Sequence, residues 1–178
     1  MSIHNQCIGE TDEWYTPPHV FDALGCHFDM DVASPGHSVT PWIPAYHFVT
    51  FEGRERRWDG LVWMNPPFGG RNGLIPWLDR FFDHGNGIAL TPDRTSAPWW
   101  QQFAPRADLI LFTAGKIKFI GQDGKPGKSP ADGTSLMAVG PQAVEALCRA
   151  GSAGLGFLSR PVSPAHHHPT ENKGPDVS

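Results

Sequence analysis

Short apolar runs separated by helical patterns predict an α/β fold, with a mostly parallel sheet and a closing antiparallel pair. Three observations carry that expectation. The runs at 61–64, 87–91 and 109–113 read as strands, the first of them buried. Between them, Leu74, Ile75, Trp77, Leu78, Phe81 and Phe82 recur at helical spacing, and 97–103 reads as a second, shorter helix. Such alternation implies right-handed βαβ crossovers. Finally, 116–120 and 135–139 flank a loop rich in Gly, Pro and Lys, which suggests that these two segments form the antiparallel pair.

The remaining elements follow in order. Residues 1–11 read as a flexible lead-in. Pro17 and Pro18 suit the first turn of a helix running to about Leu24, with Thr16 as its cap and Gly25 as its stop. A strand is expected over 27–31, a loop over 34–38, a short strand over 46–51 and a terminal helix over 141–149. The tail at 161–178 turns to Pro, His, Asn and Ser without periodicity and is expected to be disordered. One folded domain at 12–160 accounts for the rest. The arrangement is a Rossmann-like sandwich, in which ligands bind outside the carboxyl ends of the strands. The loop after Asp31 and the turn at Asn65 both lie there.

At 178 residues the chain can bury a core without a metal or disulfide. Its three cysteines, Cys7, Cys26 and Cys148, are widely spaced and show no paired-ligand pattern, which fits a reducing cytoplasm. No apolar run approaches the roughly 20 residues that cross a bilayer, and no metal is expected, the His166–His168 run having no partner ligand. The net charge of −4 argues against tight non-specific nucleic-acid binding, so any contact with DNA must be local. Arg54, Arg56 and Arg57 form one basic cluster, and Lys116, Lys118, Lys125 and Lys128 form another.

The most specific stretch is Asn65-Pro66-Pro67-Phe68, directly after a buried strand. Two consecutive prolines fix their own φ and push the preceding residue towards extended geometry, which holds Asn65 in place. Its side-chain carbonyl and the main-chain carbonyl of Pro66 can accept both hydrogens of an exocyclic amine, leaving the nitrogen lone pair free to attack a methyl group. Phe68 can stack on the ring that bears the amine. A base inside a duplex reaches such a pocket only by flipping out, at a cost of about a few kcal/mol.

The order Asp12-Glu13-Trp14-Tyr15-Thr16-Pro17, then Asp29-Met30-Asp31-Val32-Ala33, then Trp63-Met64-Asn65-Pro66-Pro67-Phe68-Gly69 resembles the phage and prophage Dam-type DNA N6-adenine methyltransferases. The likeness continues through the 87–90 strand with Arg94 and Thr95, and through Ala107-Asp108 to Lys116-Ile117-Lys118-Phe119. Where related enzymes commonly place a proline after the acidic residue of the second motif, this chain has Val32. The resemblance implies a methyltransferase sandwich, S-adenosylmethionine as methyl donor and DNA as partner. It implies that Trp14, Tyr15, Thr16 and Pro17 hold the methionine end of the donor, with Asp29, Asp31, Ala33 and Ser34 completing its site. Glu52 and Asp59 are the candidates for the ribose hydroxyls. Catalysis falls to Asn65, Pro66, Pro67 and Phe68, and contact with the nucleic acid to Arg94, Thr95, Lys116, Lys118, Lys125 and Lys128. The turn alone leaves open an RNA base or a protein glutamine as acceptor, as well as a non-catalytic nucleic-acid-binding relative.

Overall fold

Side chains alternate along the central strands, and the alternation sorts the molecule into layers. The computed structural model describes residues 14–67, 73–127 and 130–162; the lead-in, Phe68, Lys128 and all but the first two residues of the expected tail lie outside them. Among the described residues, β1 (Phe28–Asp31), β2 (Ala45–Phe48), β3 (Val62–Met64), β4 (Gly87–Pro92), β5 (Leu109–Thr113), β6 (Thr134–Val139) and β7 (Gly156–Ser159) form one sheet. Trp63, Ile88, Leu90, Leu111, Leu136 and Ala138 point to one face, where α1 (Pro18–Leu24) and α4 (Pro141–Ser152) cover them. Val62, Met64, Ala89, Ile110 and Met137 point to the other, against α2 (Ile75–His84) and α3 (Pro98–Phe103). Period-two alternation therefore yields apolar side chains on both faces, because helices lie on both. Gly25 closes α1 in the left-handed region at φ 57°, which only glycine adopts at no steric cost.

The spatial order is β2-β1-β3-β4-β6-β5-β7. From β2 to β4 every pairing is parallel, whereas β4–β6, β6–β5 and β5–β7 are antiparallel. The sheet is thus mixed rather than mostly parallel with one closing antiparallel pair, and parallel pairing is confined to β2, β1, β3 and β4. The expected closing pair is corrected too: 116–120 forms no strand, and Ile120 makes isolated bridges to Tyr15 and Pro126. Both edges of β6 are already hydrogen-bonded, to β4 and to β5, so no edge remains for 116–120. Thr16 does not cap α1, whose N-cap is Pro17 and which has no side-chain cap bond.

One consequence of this order positions the site. β1 pairs with β2 on one side and with β3 on the other, with Asp31 opposite Trp63, so the chain leaves the sheet in diverging directions at the ends of β1 and β3. A crevice opens at such a switch point. Among the described residues no helix is long and apolar enough to cross a membrane, and no three His, Cys, Asp or Glu side chains gather as a metal site.

Candidate active site

Asn65 follows β3 immediately and is half-buried, with Pro66 buried behind it. Its Nδ2 donates to the main-chain carbonyl of Trp14 (3.2 Å) and to Thr16 Oγ1 (3.1 Å). A carbonyl can only accept, so the amide nitrogen must face Trp14 and Thr16 while Oδ1 is turned elsewhere. Among the described residues Oδ1 has no hydrogen-bond partner, and Asn65 lines a cavity of about 1190 Å³. That volume exceeds the ~300–1,000 Å³ common for a single small-molecule site.

The segment that holds Asn65 is itself fixed at several points. Thr16 is buried, and its main-chain oxygen accepts from Trp42 Nε1 at 2.9 Å. Tyr15 exchanges two main-chain hydrogen bonds with Ile120, at 2.9 and 2.8 Å. Ile120 belongs to a hairpin-like loop at 119–127, closed by Gly121 N–H to Lys125 O and Gly127 N–H to Phe119 O. The indole of Trp14 lies flush on this loop, since a Cβ at Gly127 would come within 2.2 Å of its Cζ3. The loop and the Trp14–Thr16 segment together make one wall of the cavity.

Asp31, at the end of the neighbouring strand β1, lines the same cavity and is only 2% exposed. Burial pushes its carboxyl up to about 6, while hydrogen bonds from the Ser34 hydroxyl and the Ala33 N–H pull in the other direction. Main-chain bonds from Val49 N–H to Asp31 O and from Ser34 N–H to Val49 O extend the β1–β2 pairing past both strands. They hold Ala33 and Ser34 in the cavity wall. Among the described residues no cation pairs with Asp31.

The structure therefore brings Trp14, Tyr15, Thr16, Asp31, Ala33 and Ser34 into one cavity with Asn65, Pro66, Pro67 and Lys125. Pro17 sits just outside as the N-cap of α1. Asp29 does not line the cavity, because its Oδ2 accepts from Leu61 N–H at 2.6 Å and secures the entry to β3. Arg94 and Thr95 follow β4 outside the lining, with Arg94 paired to Asp132 at 2.8 Å. Lys116 donates to the carbonyls of Pro130 and Ala131, and Lys118 is exposed; neither lysine lines the cavity. Of the two ribose candidates, Glu52 lines the cavity and has φ 51°, whereas Asp59 pairs with Arg57 outside it.

Sequence reasoning missed Trp42, the anchor of Thr16, and Phe51 and Trp77 in the cavity wall. Trp42 lies in an irregular stretch with no periodicity to mark it. Trp77 was visible only as part of a helical stripe, which core packing explains equally well.

No curated protein and no solved structure matched the chain. Residues 5–143, well over half of it, match the family model for DNA N-6-adenine-methyltransferase (Dam), so the chain belongs to that family and is an S-adenosylmethionine-dependent DNA adenine N6-methyltransferase.

Proposed function

We propose that S-adenosylmethionine and an adenine flipped out of DNA meet in the cavity between Asp31 and Asn65. The observation that carries this reading is the Asn65 amide, whose nitrogen is engaged by Trp14 and Thr16 and whose oxygen is left for a ligand. The residues present also fit the donor. Asp31 is a buried carboxylate with no cation beside it among the described residues, suited to the ammonium of the methionine end. Glu52, on the segment after β2, suits the ribose hydroxyls. The cavity is large enough for a donor and a nucleoside together. The mixed sheet fits a Rossmann-like methyltransferase sandwich in which β5 keeps the direction of β1 to β4 and only β6 and β7 run against it.

When bound, the donor supplies an electrophilic methyl carbon on a positively charged sulfur. The chain's own work is to orient the acceptor. Asn65 Oδ1 and the main-chain carbonyl of Pro66 accept the two hydrogens of the adenine N6 amine, which turns its lone pair out of the ring plane. Phe68, the next aromatic in the chain, stacks on the base. That lone pair would attack the methyl carbon the bound donor supplies, with the sulfur as leaving group, and one N6 proton would then pass to solvent. An exocyclic amine has little basicity, so no strong base is needed. Alignment of this kind is worth about 7–11 kcal/mol.

Lys125, at the rim on the 119–127 loop, and Lys128 beyond it are proposed to meet the phosphate backbone, with Arg94, Thr95, Lys116 and Lys118 on flanking loops. The reaction is placed in the cytoplasm of a bacterial host of a phage or prophage, where the free thiols of Cys26 and Cys148 meet a reducing medium. Transfer of a labelled methyl group from the donor to DNA tests the reading, with the product nucleoside identified by mass. N6-methyladenine is expected; label on cytosine, or donor binding without transfer, would overturn it.

A further inference from the structure

We infer that Thr16 is a positioning residue of the methyl-transfer site: its buried hydroxyl oxygen, with the Trp14 carbonyl, holds the Asn65 amide in the orientation that leaves Oδ1 for the acceptor amine. The inference rests on Asn65 being the clamp for that amine. An asparagine amide is nearly symmetric in shape, so packing alone does not choose between its two orientations. Hydrogen bonding does. Both partners of Nδ2 act as acceptors, at 3.2 and 3.1 Å, and a flipped amide would set Oδ1 against the Trp14 carbonyl. The same flip would aim an NH2 at the amine that it must receive.

Thr16 is built for this role. It is 1% exposed, and its own main-chain oxygen is bonded to Trp42 Nε1. On one side Tyr15 is tied to Ile120, and on the other Pro17 and Pro18 begin α1 with restricted backbones. The hydroxyl is not spent on capping that helix. β-Branching further limits χ1, so the oxygen stays directed at Asn65 across a separation of 49 residues. Only the oxygen matters to the argument, which makes valine the informative replacement and serine the rescue.

The test compares Thr16→Val and Thr16→Ser with the wild-type chain in steady-state methylation of DNA, in donor titration by calorimetry, and in 15N–1H spectra of the Asn65 side-chain amide. Thr16→Val should lower kcat roughly 10- to 100-fold, the range expected when a buried group loses its hydrogen-bond partner. Any loss of donor affinity should be smaller than the loss of kcat, the Asn65 amide signals should shift and exchange faster, and Thr16→Ser should restore most of the rate. Three results would overturn the inference: weaker donor binding with kcat unchanged, equal damage from valine and serine, or Asn65 signals that do not move. If Thr16→Val does not fold, Thr16→Ala takes its place with the same expected outcomes. Retained activity in Asn65→Ala would remove the clamp itself but would leave the spectral result standing, so the two failures are distinguishable.

Discussion

Replacing Asp31 by asparagine should make the protein more stable at neutral and alkaline pH and less able to hold its donor. The carboxyl is raised from 3.8 to about 6 by burial, so the folded chain binds this proton more tightly than the unfolded one. Its contribution is therefore most favourable below about pH 4, where both states are protonated, and falls as the pH rises through about 6. Above that, ionised Asp31 costs up to ~3 kcal/mol. Asparagine has nearly the same shape and can still accept from Ala33 N–H, but it carries no charge to bury. Urea denaturation at about pH 8 should show the variant more stable by up to ~3 kcal/mol, and the gain should vanish near pH 4. Calorimetric titration with S-adenosylmethionine should show the opposite effect, an affinity loss of at least about 30-fold, because the ligand's ammonium would lose a buried charge partner. Near pH 6, donor binding to the wild-type chain should release protons, since the ammonium draws the Asp31 pKa down. A variant no more stable than the wild type at high pH would exclude a buried charge cost at Asp31, and one that keeps its donor affinity would exclude Asp31 as the partner of the donor's ammonium.

Two further outcomes are expected. Phe68→Ala should lower catalysis by about 1–3 kcal/mol while Phe68→Tyr stays close to wild type, because either ring stacks on a base; equal damage in the kinetics of both would rule out stacking. Replacing Lys125 and Lys128 by alanine should raise the KM for DNA, leave donor affinity unchanged and reduce the slope of log affinity against log salt by about 0.9 per lost contact. An unchanged slope would put the phosphates on another face, with Arg54, Arg56 and Arg57 the next residues to replace.

The strands and helices that could be read from the chain are those whose identity depends on local pattern. β5 was placed at its observed bounds because five apolar or β-branched residues stand between Asp108 and Ala114. β4 and the start of α4 were legible for similar reasons. Strand direction was not, since a run buried on both faces looks the same whether its neighbours are parallel or antiparallel. Insertion of β6 between β4 and β5 is decided by the way the chain returns from 116–133, which no periodicity encodes. β7 escaped notice because it has only four residues and three of them are exposed.

The site shows the same division. Asn65 was legible because two prolines and a buried strand fix it locally. The partners of its amide, Trp14 and Thr16, lie about fifty residues away in sequence and meet it only in the folded chain. Of the two roles that sequence suggests for Thr16, the helix cap is not made, and its hydroxyl oxygen instead accepts from Asn65 Nδ2. Sequence puts Asp31 first on this strand and gives Asp29 a supporting place beside it, but the Leu61 N–H engages Asp29 while Asp31 lines the cavity.

The central claim is that Asn65 clamps the adenine amine. Its most direct test is methyl transfer to DNA by Asn65→Ala at saturating donor, with donor affinity measured on the same preparation. No detectable N6-methyladenine is expected, together with donor binding close to that of the wild type. A variant that keeps most of its methylation rate would contradict the claim.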